Sequence, residues 1–386
     1  MSLPEALEQR VRGRLRALEE SQLLRTLRAP AGIDLSSNDY LGLSRHPVLQ
    51  ERMATAVREE GCGSTGSRLL RGQRDCFAAV ERRFAAFKGT ASALYFSSGY
   101  LANLAVLTTL PERGDTVLSD ALNHASLIDG VRLSAARPVV FPHADVAAVA
   151  GLIDRHRGLG QIFLVTESLF SMDGDEAPLR AYADLCRQTG ACLIVDEAHA
   201  VGVYGRRGSG LIEESRIGDD LCVSINTAGK ALGVCGAFVA GPAWVVEYLV
   251  QRARPFIFST AAPPAVAATL EASLAIVEGE PERREQVLTH AGALRSRLTA
   301  LGVAVAPGRS QIVPVVIGDN ETALTIAEGL QSQGFDVRVI RPPSVPDGTA
   351  RLRISVNVGI TDEAIERFAT ALAASMSAAQ CSAASS

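Results

Sequence analysis

Lys230 sits in Ser224–Gly236, SINTAGKALGVCG, a polar patch between two apolar runs. A lysine three positions after Thr227 and directly after Gly229 has two fates. It can rest in a turn as a solvated charge, as most lysines do, or turn inward as an amine nucleophile. Four other stretches carry residue types suited to chemistry: Ser97-Ser98-Gly99-Tyr100, Asn123-His124-Ala125-Ser126, Phe170-Ser171, and Asp196-Glu197-Ala198-His199. Small residues opening a helix at Ser98-Gly99-Tyr100 could offer backbone N–H groups and a hydroxyl to a phosphate. Taken singly, each stretch has an ordinary structural role: Asp196 caps a helix, His199 is a satisfied core histidine, Ser171 lies in a turn.

The elements that must position these residues change that balance. Short apolar runs at 93–96, 116–118, 138–141, 161–166, 191–195, 221–225 and 236–240 alternate with helix-sized segments. Runs apolar on both faces and spaced this way predict an α/β protein with a mostly parallel sheet covered by helices. In such sheets ligands bind beyond the carboxyl ends of the strands. The polar stretches follow those ends, so an aspartate, two histidines, a lysine and several hydroxyls converge on one crevice. Separate structural roles would not require that coincidence. Pyridoxal phosphate asks for this set: a lysine for its carbonyl, a carboxylate at the ring nitrogen, a ring to stack on, and a phosphate cradle. Lys230, Asp196 and His124 meet the first three needs, and Ser98, Gly99, Tyr100 and Thr227 the fourth. His199, three residues after Asp196, could reach the phenolic oxygen.

The remaining chain bounds the reading. With 386 residues, 47% hydrophobic and 21% charged, it is long enough for about two domains and a large buried site. A net charge of −4 and no basic run give no footprint for nucleic acid, so a small-molecule substrate is expected. Seven cysteines, an odd number without a C-x-x-C, read as reduced thiols of a cytoplasmic protein, with no zinc site. No signal peptide is expected in the charged N-terminus, and Val234–Val250 is broken by Gly236, Gly241, Pro242 and Glu247, against a membrane span. Leu7, Val11, Leu15 and Leu18 recur at helical spacing. Arg25 beyond them is by itself a surface arginine, whereas Asn38 and Tyr40 lie in a polar loop able to reach a ligand. Gly61-Cys-Gly-Ser-Thr-Gly66 matches G-x-G-x-x-G, yet a helical pattern precedes it and no acidic residue ends a second strand about 20 positions later. Dehydrogenase chemistry is therefore not expected. At the C-terminal end, strands over 311–317, 336–340 and 351–356 with helices over 322–333 and 362–374 predict a small α+β domain, in which Arg351 and Arg353 share a strand face. The proline-rich 341–346 loop precedes them, and the tail 379–386 is expected to be disordered.

The motifs SSNDYLGLS, GCGSTGSRLLRG, FSSGYLAN, NHASLIDG, TESLFSMDGDEAPL, VDEAHAVGVYG, NTAGKALG and RPPSVPDGTARLR, in this order, resemble the α-oxoamine synthase family of fold-type-I pyridoxal phosphate enzymes. The resemblance runs from about residue 35 to about 362. It implies an aspartate-aminotransferase-like fold: an N-terminal helix and arm over 1–45, a large cofactor domain with a seven-stranded sheet over 46–280, and a small domain over 281–378. It also implies that Lys230 holds the cofactor, Asp196 pairs with its ring nitrogen, His124 stacks on the ring, and His199 and Ser171 contact the phenolic side. Thr227, Gly99 and Tyr100 would adjoin the phosphate, with Thr260 supplied by a second subunit of a homodimer. Arg353 would bind the amino-acid carboxylate, and Arg25 and Ser344 would contact substrate. The reaction implied is decarboxylative condensation of L-alanine with a pimeloyl thioester, borne by coenzyme A or acyl carrier protein, in the branch that makes a biotin precursor. Ala200 departs from the commoner glycine and is like the siblings that use glycine, so glycine acetyl transfer is the first alternative, with 5-aminolevulinate or serine palmitoyl transfer below it. A cofactor-free nucleotide-binding or scaffold protein is a remote one.

Overall fold

The computed structural model describes residues 5–384. All seven expected runs enter one sheet: β1 Ser92–Phe96, β2 Thr116–Asp120, β3 Arg137–Phe141, β4 Ile162–Glu167, β5 Cys192–Asp196, β6 Leu221–Thr227 and β7 Ala237–Gly241. Their spatial order is β1-β7-β6-β5-β4-β2-β3. β7 runs antiparallel to β1 and β6, and the other pairings are parallel. Parallel strands need helical crossovers, which cover both faces and leave strands such as β4, IFLVTE, buried at every position. Val165, Ile194, Val223, Ile225 and Val239 form one core with Ala102, Ala105 and Val106 of the helix Gly99–Leu107. Each large aliphatic side chain buried there contributes about 1.5–3 kcal/mol. That burial sets the register which aligns the strand ends: Glu167 lies beside Asp196, and Asp196 beside Ile225.

The chain divides into two compact units. One runs from Asn38 to Ser171 and from Asp175 to Val287, and holds the large sheet. The other comprises the N-terminal stretch up to Ser37, Met172–Gly174 and the chain from Leu288 onward. In this second unit β8 Ile312–Gly318, β9 Val339–Ile340 and β10 Ala350–Ser355 form an antiparallel sheet ordered β9-β10-β8. Val313, Val315, Leu352 and Ile354 pack against Ile326, Leu330, Phe368 and Leu372.

Two features differ from expectation. The strand anticipated over 336–340 splits, because Phe335–Asp336 pairs in parallel with Ile33–Asp34 while Val339–Ile340 pairs with β10. The first pairing joins the segment before Ser37 to the C-terminal unit, with which it clusters. The tail also differs: one helix runs Asp362–Ala384, where disorder is expected from 379, and the last two positions of the tail, 385–386, lie outside the described residues. Alanine, which dominates this segment, has the highest helix propensity of all residues. The helix Glu5–Glu20 forms as its spacing predicts, but it buries nothing: Leu7, Val11, Leu15 and Leu18 remain 40–48% exposed.

Candidate active site

Lys230 is held at the tip of the β6–β7 connection. Ala228 N–H donates to Gly236 O at 2.8 Å, Val234 N–H to Ala228 O at 3.1 Å, and Gly233 N–H to Lys230 O at 2.8 Å, so the loop closes on itself. Gly236 makes the closure possible. Its φ is +92°, and a Cβ there would overlap the Tyr95 hydroxyl. The Lys230 amine lies 2.7 Å from His199 Nε2, and His199 Nδ1 lies 2.7 Å from the Tyr40 hydroxyl, which donates to Asn38 Oδ1 at 3.0 Å. Asn38, Tyr40, His199 and Lys230 thus form one continuous polar line.

Asp196 ends β5 with its carboxylate buried. Ala198 N–H donates to Oδ1 and Asn103 Nδ2 to Oδ2, each at 2.8 Å. Asn103 also donates to Ser126 Oγ at 2.8 Å, and Ser126 Oγ lies 2.7 Å from His124 Nδ1. His124 precedes the helix Ala125–Leu133 as its cap, accepting from Ser126 N–H. Burial, partly offset by the Asp196 charge and reinforced by Lys230, pushes its imidazole below the usual range toward the neutral form.

Glu167, at the end of β4, is a second buried carboxylate of the site, to which the sequence assigns no role. It is fully buried beside Asp196, and burial followed by the Asp196 charge pushes its carboxyl up to about 8. Its carboxyl lies against the backbone N–H groups of both His124 and Ser171. A protonated Glu167 spares the site two adjacent carboxylates. The available signal was its place at a strand end.

The loop bearing Ser171 is clamped by His143. His143 Nδ1 lies 2.9 Å from Asp120 Oδ1 and Nε2 2.7 Å from Asp175 Oδ2, with the ring edge-on to Phe170 at 4.4 Å. A histidine bonded to carboxylates through both nitrogens carries both protons, and these bonds push its pKa up to about 10.

Ser98 caps the helix Gly99–Leu107 by accepting from Leu101 N–H at 3.3 Å. Gly99 adjoins Thr227: a Cβ there would sit 3.6 Å from the threonine side chain. Gly229 N–H donates to Thr227 Oγ1 at 3.4 Å. Tyr100 points its hydroxyl at Asp129 on the surface, so what it can offer at the helix start is its backbone N–H. Thr260 lines a small cleft with Arg68, Ser97 and Phe256, and no residue of the polar line through Lys230 is part of that lining. The G-x-G-x-x-G string follows a helix, Pro47–Glu60, and leads to Arg68, which forms a bidentate ion pair with Glu81 at 3.0 Å.

Arg25, Ser344 and Arg353 belong to the C-terminal unit. Arg353 is buried, with Nη1 donating to Ser355 Oγ at 2.7 Å, and Arg351 beside it pairs with Asp173. Arg25 donates to Pro342 O at 3.4 Å, and Ser344 is exposed two residues on. Arg25, Arg28, Arg338 and Arg341 line a cavity of about 520 Å³.

The donor set around Asp196 and Lys230 fits pyridoxal phosphate: a buried carboxylate for a pyridinium, an amine for the aldehyde, and a helix start for the phosphate. Glu167 Oε1, Ser168 Oγ and Asn103 Oδ1 are buried with no hydrogen-bond partner among the described residues, as expected at a polar ligand's edge.

The family model for class I and II aminotransferases matches residues 30–372. The 8-amino-7-oxononanoate synthase of Geobacter sulfurreducens is 45% identical over 379 residues, covering 94% of this chain and 97% of the relative. Among solved structures, a serine palmitoyltransferase from S. paucimobilis with a bound pyridoxal phosphate–myriocin aldimine superposes with a TM-score of 0.90 at 29% identity, covering 98% of this chain and all of that one. The 8-amino-7-oxononanoate synthase from Francisella tularensis gives 0.78 at 29% identity, covering 89% of this chain and 97% of that one.

Proposed function

The chain belongs to the aminotransferase class I and II family, among the 8-amino-7-oxononanoate synthases, and we propose that it joins L-alanine to a pimeloyl thioester in biotin biosynthesis. The products are 8-amino-7-oxononanoate, carbon dioxide and the free thiol of coenzyme A or carrier protein. The observation that carries this reading is the Lys230 amine 2.7 Å from His199 Nε2, three residues along the chain from the buried carboxylate of Asp196. Pyridoxal phosphate, when bound, supplies a carbonyl for an amine and an electron sink for the pair left at the amino-acid Cα.

This chain's residues supply the rest. Lys230 would hold the cofactor through its amine, and Nζ, when free, is the base that would accept the alanine Cα proton. Asp196 holds the ring-nitrogen proton, Asn103 keeping its carboxylate in place. His199, oriented by Tyr40, holds the phenolic side together with Ser171. His124 covers the ring face. The N–H groups opening the helix Gly99–Leu107, with Ser98 and Thr227, hold the phosphate. We assign Arg353 to the amino-acid carboxylate and Arg25, Asn38 and Ser344 to substrate contacts.

A homodimer with a shared site completes the reading, Thr260 reaching the partner's phosphate. Leu69, Leu70 and Phe258 support it: they are 51%, 83% and 71% exposed, on segments joined by the Ala261 N–H bond to Gly66 O at 2.9 Å. No helix among the described residues is long and apolar enough to cross a membrane, and a cytoplasmic location fits the substrates.

Purified protein should be yellow, and borohydride should fix the cofactor on the wild type but not on Lys230→Ala. Colourless protein indifferent to pyridoxal phosphate would refute the enzyme reading. Thiol release from pimeloyl, acetyl, succinyl and palmitoyl coenzyme A, each with alanine or glycine, ranks the substrates. Preference for glycine with acetyl coenzyme A would favour the sibling reaction that Ala200 suggests.

A further inference from the structure

The two ring nitrogens of His124 are not equivalent. Ser126 N–H points at Nδ1 from 3.2 Å, and Ser126 Oγ lies 2.7 Å from the same atom. A backbone N–H can only donate, so Nδ1 presents a lone pair and the proton of the neutral ring belongs on Nε2. The hydroxyl agrees with this. Ser126 Oγ already accepts from Asn103 Nδ2 at 2.8 Å, which leaves its own hydrogen for Nδ1. Asn103 in turn has no freedom to reverse. Its other N–H goes to Asp196 Oδ2 at 2.8 Å, and a flipped amide would set oxygen against carboxylate oxygen. Asn103 and Ser126 are 2% and 1% exposed, so water does not compete for these bonds.

We propose that Asn103 and Ser126 are positioning residues that fix His124 as the Nε2–H tautomer and tie its ring orientation to the carboxylate of Asp196. The carboxylate orients the asparagine, the asparagine assigns the serine hydroxyl as acceptor on one side and donor on the other, and the hydroxyl with the adjacent N–H assigns the imidazole. His124 then offers a donor at Nε2, so the group it serves must be an acceptor, such as a carbonyl or carboxylate oxygen of the substrate. Protonating Nδ1 would set two N–H groups against each other, so the network opposes the imidazolium. The tautomer rests on these hydrogen bonds alone. Its effect on turnover rests on the proposed function.

Cofactor-loaded enzyme labelled with 15N-histidine separates the two. With the His124 signals assigned by their loss in His124→Gln, Nδ1 should resonate as an unprotonated nitrogen and Nε2 as an N–H. A protonated Nδ1 in the wild type would overturn the proposal outright, without any variant. Ser126→Ala keeps the backbone donor but loses the hydroxyl. It should shift the signals toward a mixture of tautomers and lower kcat about tenfold while KM for alanine stays nearly constant. Ser126→Thr, which retains the hydroxyl, should restore both. Unchanged 15N signals and kcat in Ser126→Ala would also refute the role. Absence of the cofactor's absorbance and of thiol release would refute the function instead, while the His124 signals still decide the tautomer.

Discussion

Lys88→Met should strand a charge in the buried interior of the large unit. Lys88 closes the helix Asp75–Lys88, and its ammonium pairs with Glu197 and donates to Ser209 O at 2.5 Å. The two side chains are 1% and 0% exposed. Glu197 keeps one other donor, Ile212 N–H at 3.0 Å on Oε1. Methionine matches the lysine stem in length, so the substitution removes the charge with little change in packing. Breaking a fully buried pair from one side costs about 3–5 kcal/mol, because the surviving charge is neither solvated nor paired. With a denaturant slope of about 2–3 kcal/mol per molar, the urea midpoint of the large unit should fall by about 1.5 M. The double variant Lys88→Met/Glu197→Gln should recover at least half of the loss, since a neutral amide can still accept from Ile212 N–H. Glu197 adjoins Asp196 and anchors the turn bearing His199, so Lys88→Met should also weaken cofactor binding. A midpoint shift below about 0.5 M, or a double variant no more stable than the single, would refute the stranded-charge argument.

His143→Gln tests the clamp on the Ser171 loop. The folded-state pKa is raised from an ordinary 6.5 to about 10, so the pairing stabilises fully below about pH 6.5 and fades as pH rises toward 10. After allowance for the ring's partial exposure this amounts to about 2 kcal/mol. Urea midpoints of wild type and variant should therefore differ most near pH 6 and converge near pH 10; a constant gap would show that charge is not the cause. Glu167→Gln has a related signature. The folded-state pKa is raised from 4.5 to about 8, so the wild type's stabilising term is present below about pH 4.5 and is lost as pH climbs to about 8. The amide should remove that decline, leaving the variant the more stable protein at pH 9, and a parallel pH profile would show that Glu167 ionises normally.

The large unit's architecture was legible because burial on both faces writes itself into sequence as short, wholly apolar runs. The runs ending at Thr166, Val195 and Ile225 lie within two residues of the strand ends at Glu167, Asp196 and Thr227. The division of the strand expected over 336–340 is not legible, because apolar spacing cannot tell which neighbour a residue pairs with. Phe335 and Val339 lie four apart and bond to different strands. The helix of the tail is not legible either, because small residues suit both a helix and a disordered end.

The site divides in the same way. By itself the sequence determined that a lysine, an aspartate and two histidines follow the carboxyl ends of parallel strands, because chain order and strand polarity place every such end at one edge of the sheet. Only the tertiary structure decided which atoms meet. Tyr40 reaches His199 across 159 positions, Asn103 reaches Asp196 across 93, and Glu167 lies beside Asp196 across a ladder. Those meetings depend on register and helix placement, which are set by how apolar side chains pack and not by any local pattern. The protons follow the same rule: a histidine's tautomer and a glutamate's charge answer to neighbours distant in sequence, so they exist only once the chain has folded.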